Sequence, residues 1–252
     1  MTAVMPSLAG LNEGLRVRTI AAFDLLTCTV SENVAEVSSG DKFDGIDQIP
    51  IMDGERIVAV WERASNRNRL LDDSLLVSAD APLWDFIHTL HQQPYRLVVD
   101  KTRIAGIVTW SDLLKVPVFV LAFSLLAELE LAMNRKIGQL FTHDSWVGLL
   151  NDESQRKIRG RQAARKRANI DLEAIEAADL WQKATVLRAF LGEGRNFQTD
   201  LEKVRQLRND VDHVKDMVKG TADLARFVEH LETAEAWLKI LNQAEAATAA
   251  TA

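Results

Sequence analysis

Apolar and polar residues alternate over short runs in the first half of this chain and recur at helical spacing in the second. The stretches "IPIMDGERIVAVW" (49–61) and "RLVVDKTRIAGIV" (96–108) each predict two strands joined by a charged turn. Sliding the chain by 47 residues lays one stretch on the other, so that Asp53 meets Asp100, Arg56 meets Arg103 and Ile57 meets Ile104. The same offset, with no gap, carries "VSEN" (30–33) onto "VSAD" (77–80). Each copy is expected to hold a short helix after a polar capping residue (Asp80 with Pro82 in the second copy), then the two strands, then another helical stretch. A duplicated α/β unit follows, with repeats at about 16–66 and 70–115.

From Val116 onward the spacing is helical only. "VPVFVLAFSLLAELELAM" is apolar almost all round, which predicts a helix buried centrally or shared with a partner chain. Its greasiest run, Val116 to Ala127, ends at Glu128 and falls short of the roughly 20 apolar residues a membrane span needs. Gly192 is expected to stop one helix in a left-handed conformation. Thr199 with Glu202 forms a capping-box pattern that would open the next. Leu224, Phe227, Val228, Leu231, Leu238 and Leu241 mark the buried stripe of a last helix, and the Ala/Thr-rich tail 244–252 is expected to fray. The fold class expected is α+β with two domains: a duplicated α/β pair over 1–115 and an all-α bundle over 116–252.

Composition is that of a soluble globular protein, 47% hydrophobic and 26% charged. The net charge of −6 excludes a chain that is basic throughout for nucleic acid, yet the charge is uneven. Residues 135–168 carry 9 Lys/Arg against 3 Asp/Glu, whereas 1–115 carry 11 against 16. The densest part is "RKIRGRQAARKR", where Arg156, Lys157, Arg159, Arg161, Arg165, Lys166 and Arg167 fall within twelve residues. Such a run can neutralise an RNA backbone, or it can be a solvated helix face in an acidic protein. It has no interleaved aromatics for base stacking. Cys28 is the only cysteine, and the first twenty residues lack a signal-peptide core, so a reduced, cytoplasmic protein is expected.

"RIAGIVTWSDLL" (103–114) resembles the end of a CBS domain, a module found in tandem pairs that often bind adenosine-type ligands. The family pattern places a Gly, a few strand residues, a Thr or Ser and then an Asp. Gly106, Thr109 and Asp112 match it. The resemblance implies that Gly106 lets the ligand come close, Thr109 bonds phosphate and Asp112 takes the ribose hydroxyls, with an adenine nucleotide as regulatory ligand. In the first copy Ala59, Glu62 and Ser65 stand at those offsets, which implies at most one good site per chain.

"RNDVDH" (208–213) resembles the R-N-x-x-x-H signature of HEPN domains, helical bundles often found as metal-independent endoribonucleases. The resemblance spans about 116–244. It implies a homodimer with a shared cleft, in which His213 moves protons, Arg208 steadies the phosphorane charge and Asn209 orients the imidazole. No cofactor is implied for catalysis. Arg208 and Asp212, one turn apart, would instead form an exposed ion pair if the helix were ordinary. His88 and His91, at i,i+3, lack a third metal ligand, and His143, His230 and Cys28 read as structural, so no metal site is expected.

The expected protein is thus a nucleotide-regulated, metal-independent endoribonuclease whose partners are RNA, an adenine nucleotide and a second copy, with no membrane. Such a design would suit a toxin or an anti-phage effector. The rival expectation is a non-catalytic, nucleotide-sensing dimer that holds RNA or a protein through its helical half. A plain dimerisation scaffold is the third.

Overall fold

A computed structural model describes residues 8–90, 93–192, 196–212 and 221–249. The chain is mixed α+β and divides into two compact units. One spans Ala9–Val118; the other takes in Phe119–Met217 and Ala225–Ala252.

The first unit contains α1 (Leu8–Gly14), β1 (Cys28–Thr29), α2 (Val34–Val37), β2 (Gln48–Asp53), β3 (Arg56–Glu62), β4 (Arg67–Leu70), β5 (Leu76–Ser78), α3 (Leu83–Leu90), β6 (Tyr95–Asp100) and β7 (Arg103–Thr109). They build two sheets, ordered β1-β2-β3-β4 and β5-β6-β7. In each, a short parallel strand flanks an antiparallel hairpin, and the two hairpins share their register pair by pair. Gln48 faces Glu62 as Tyr95 faces Thr109, and Asp53 faces Arg56 as Asp100 faces Arg103. Both hairpins bulge at the same place, between Ile51 and Met52 and between Val98 and Val99. Both turns use a left-handed residue, Gly54 at φ 59° and Lys101 at φ 57°.

The likeness ends at the hairpins. Val30 donates to the Met52 carbonyl as Ala79 donates to that of Val99. The first strands are therefore related by 49 residues, and the gapless match of "VSEN" with "VSAD" is two residues out. The first copy spends its extra residues on a broken connection, α2 followed by a 3-10 turn at Asp41–Phe43, where the second has one continuous helix, α3. After β3 the expected helical stretch is absent. Arg63 instead bonds the carbonyls of Ser38, Phe43 and Ile46, Asn66 turns the chain at φ 52°, and β4 pairs back onto β3. After β7 a 3-10 turn, Trp110–Leu114, does follow.

Apolar side chains from both copies meet in one cluster, with Val60, Leu75, Tyr95 and Leu97 at its buried centre and Ile57, Ile104 and Ile107 around it. A strap, residues 15–22, is bonded to the second copy. Val17 and Arg18 donate to Ala81 and Ala79, Leu83 donates to Leu15, and Ala22 and Ile107 exchange both backbone bonds at 2.8 Å. Arg18 adds ion pairs to Asp80 (2.7 Å) and Asp100 (3.4 Å), and Lys115 donates to the Ile20 carbonyl.

The second unit is helical: α4 (Val116–Leu140, entering from the first unit), α5 (Asp152–Lys166), α6 (Ala174–Ala177), α7 (Leu180–Val186), α8 (Arg188–Leu191), α9 (Phe197–Asp212) and α10 (Thr221–Ala249). Val118, Leu121, Leu125, Leu129 and Met133 bury one stripe of α4 completely. The helix runs 25 residues and is long and apolar enough to cross a membrane by length and composition, which corrects the expectation drawn from its first twelve residues. Half of its apolar window is buried within the protein, as in a core helix.

Three further expectations are corrected. Gly192 sits at φ −96°, not in the left-handed region; it is needed because a Cβ there would meet the Arg188 carbonyl at 2.9 Å. Helix α9 starts at Phe197 with Asn196 accepting from the Thr199 N–H, and Glu202 pairs with Arg205 rather than completing a capping box. Helix α10 takes in residues 244–249 of the stretch expected to fray, in keeping with the high helix propensity of alanine, and residues 250–252 lie outside the described residues. In its buried stripe Trp237 is fully covered and stacks on Phe197 at 5.9 Å, while Leu238 is half-buried.

Candidate functional site

The two hairpin turns end at one cleft. Its volume is about 610 Å³, and Phe23, Thr27, Met52, Arg56, Arg103 and Ile104 are among the residues that line it. Arg56 opens β3 and Arg103 opens β7, at equivalent positions of the two copies. Both guanidiniums are exposed, and among the described residues neither has a hydrogen-bonded or ion-pair partner. Arg18, Arg63 and Arg69 in the same unit are all engaged. Two unpaired guanidiniums in one cleft can hold an anion, with apolar side chains such as Phe23 and Ile104 beside them, although the Glu55 carboxylate lines the same cleft. Its size is that of a small-ligand pocket.

The residues expected to bind nucleotide lie elsewhere. Gly106 is the tight point of the strap: a Cβ there would sit 2.7 Å from the Ala22 carbonyl oxygen. Close approach is indeed why glycine stands there, but the approaching group is the chain's own backbone. Asp112 is buried and already shared, its Oδ2 accepting from the Thr109 N–H (2.6 Å) and hydroxyl (3.1 Å) and its Oδ1 pairing with Lys115 (2.7 Å). Thr109 and Asp112 thus lock the end of β7 to the turn after it. None of the three residues lines the cleft at Arg56 and Arg103. The same device recurs after β1, where Glu32 accepts from the Thr29 N–H (2.6 Å) and hydroxyl (2.9 Å), bonds that hold its carboxyl below the usual range.

Residues 70–118 match the family model of the CBS domain. A CBS domain is therefore present in this chain. The match takes in α3, β6, β7 and the Thr109–Asp112 lock, and it leaves out residues 16–66. No curated protein matches the sequence. Among solved structures, the crystal structure of protein MJ1004 from Mathanocaldococcus jannaschii is similar at 14% identity and a TM-score of 0.38, covering 86% of this chain and 98% of that one. At that score the likeness carries no argument. The two unpaired arginines, Arg103 within the CBS match and Arg56 outside it, were visible in the sequence only as a repeated Arg in a charged turn, a signal easily passed over.

In the helical unit, Arg208 and Asn209 lie side by side near the end of α9, both exposed. His213 lies outside the described residues, as does His91. Arg208 and Asp212 form no ion pair, although their spacing permits one. The basic run is helix α5 and its end. Four of its seven cations are tied down: Arg156 to the Asp152 carbonyl, Lys157 to Glu153, Arg159 to Gln155, and Arg161 to the Ala177 carbonyl and Asp179. Arg165, Lys166 and Arg167 are exposed at the helix end without such bonds among the described residues. His88 bonds the Trp84 carbonyl through Nδ1, a structural role. Among the described residues no group of three or more His, Cys, Asp or Glu is placed to hold a metal.

Proposed function

We propose that the protein is a nucleotide sensor in which the two-copy α/β unit binds an adenine nucleotide and thereby biases the helical unit. One observation carries this reading: Arg56 and Arg103, unpaired and at equivalent turns, line one cleft in a unit that contains a CBS domain. The guanidiniums hold the phosphates as bidentate donors, and Phe23, Met52 and Ile104 supply apolar surface for the base. The unit acts as a tandem CBS pair, and Thr109 and Asp112 contribute by fixing the strand that carries Arg103 rather than by touching ligand. The test is calorimetry with AMP, ADP and ATP on the wild type and on Arg56→Ala/Arg103→Ala. Saturable binding lost in the variant supports the reading; binding of equal strength in both would sink it.

The output assigned to the helical unit is RNA cleavage of HEPN type by a homodimer, with Arg208 clamping phosphate, His213 moving the proton, Asn209 orienting it, and Arg165, Lys166 and Arg167 tracking the RNA backbone. What favours this over an ordinary helix surface is the open Arg208, left free of Asp212. RNA digestion in excess EDTA, wild type against His213→Ala, decides it. Equal background from both leaves a sensor that binds RNA or protein without cutting.

A further inference from the structure

Strand β4 has no counterpart in the second copy, and it leaves the four-stranded sheet with an open edge. Which backbone groups lie on that edge follows from the strands inside it. Val30 donates to the Met52 carbonyl, so Pro50 and Met52 turn their backbone groups toward β1, and Ile49 and Ile51 turn theirs toward β3. Ile49 faces Trp61 and Ile51 faces Ala59, which leaves Val60 and Glu62 to bond β4 through Arg69 and Arg67. The N–H and C=O groups of Asn68 and Leu70 then point outward. Among the described residues no other element bonds to them. Such an edge is a template for another strand unless something guards it.

Charge is the usual guard, and here its pattern selects one partner. The segment "RNRLLDD" (67–73) is basic at its start, apolar in the middle and acidic at its end. Leu70, at the centre, is 75% exposed, the most of any large apolar side chain among the described residues. Asp72 is still extended, at φ −140° and ψ 167°. Arg69 is answered within its own chain by Asp72 at 3.7 Å and Glu62 at 3.9 Å. Arg67 and Asp73 are exposed and have no hydrogen-bonded or ion-pair partner among the described residues. Laid antiparallel on itself about Leu70, the segment meets its complement at each position. Leu70 faces Leu70 and exchanges both backbone bonds with it, Asn68 faces Asp72, which accepts its amide proton, and Arg67 faces Asp73. Symmetry makes the last two pairs occur twice. Parallel pairing in register would instead set Arg67 on Arg67 and Asp73 on Asp73.

We propose that β4 binds β4 of a second copy, so that two chains join their four-stranded sheets edge to edge in antiparallel register about Leu70. The interface uses neither the cleft at Arg56 and Arg103 nor Arg208 and His213, and it stands whether or not the protein senses nucleotide or cuts RNA. The test is cross-linking of the full chain carrying Leu70→Cys with a short bis-maleimide, read as covalent dimer on a denaturing gel. The native Cys28 is buried and out of reach of the reagent. Leu70→Cys should give dimer, and Val30→Cys, which places an equally open thiol beside the opposite edge strand, should not. Adding Arg67→Asp to Leu70→Cys sets like charges at two symmetric positions and should raise the protein concentration needed for cross-linking about tenfold. Adding Asp73→Arg as well should restore it. The proposal is overturned by no dimer at Leu70→Cys, which leaves the edge to a strand of another protein, by equal dimer at Val30→Cys, or by indifference to Arg67→Asp. It is equally overturned if Asp73→Arg fails to restore what Arg67→Asp removed.

Discussion

The two hairpins of the α/β unit agree in register, bulge and turn, and what surrounds them does not. The second is sealed by the strap and by the Thr109–Asp112 lock; the first is extended by a fourth strand. Repetition here is therefore a property of the ladder, where one slipped residue would turn every side chain to the wrong face. Nothing so strict holds the flanks, and they have diverged. The difference is sharpest at one pair of positions, Gly106 and Ala59, which face Val98 and Ile51 in equivalent places. The copy that has a strap lying across it has no Cβ there, and the other copy does.

That pair gives the largest expected effect. Gly106→Ala must push the Ala22 backbone away and should cost about 2–3 kcal/mol in urea unfolding. Ala59→Gly should cost about 1 kcal/mol, through chain entropy. Similar losses at both positions would break the comparison. Next in size, Arg103→Ala and Arg56→Ala should each weaken nucleotide binding about tenfold, or ~1.4 kcal/mol. An effect at only one of them would show that the copies share a cleft but not its work. Tyr95→Phe removes the 2.9 Å bond from β6 to Glu62 at the end of β3, a link between the copies, and should cost about 1 kcal/mol. The smallest effect is a gain: Lys101→Gly gives the second turn the residue that the first already has at its left-handed position, and should stabilise by up to about 1 kcal/mol.

The hairpins could be read in the sequence because alternation and a repeated Arg and Asp fix both strands and turn. The strap could not, since Leu15–Ala22 holds one 3-10 turn, Val17–Thr19, between two isolated bridges and carries no periodic signal. The same holds for Gly106, whose glycine announced a close approach without saying of what. In the helical unit the sequence pattern predicted α4 and α10, yet put the start of α9 at Thr199 when Asn196 caps it. The cleft at Arg56 and Arg103 was missed because the two arginines look like ordinary turn charges until their lack of an ion-pair partner among the described residues is seen. His230 reads as structural in the sequence, and the structure buries it; what the sequence could not show is that its Nδ1 is left without a hydrogen-bond partner.

The strap also sets a timetable. As the chain leaves the ribosome, Ala22 emerges long before Ile107, its backbone partner, so the first hairpin can close while the strap still has nowhere to lie. Pairings this distant along the chain are slow to form. The second hairpin, although it is made later, is the one whose completion the N-terminal residues must await, and until then the Arg18 side chain has neither Asp80 nor Asp100 to meet. A chain stalled before residue 100 should therefore show a finished first sheet and an N-terminal segment open to proteolysis.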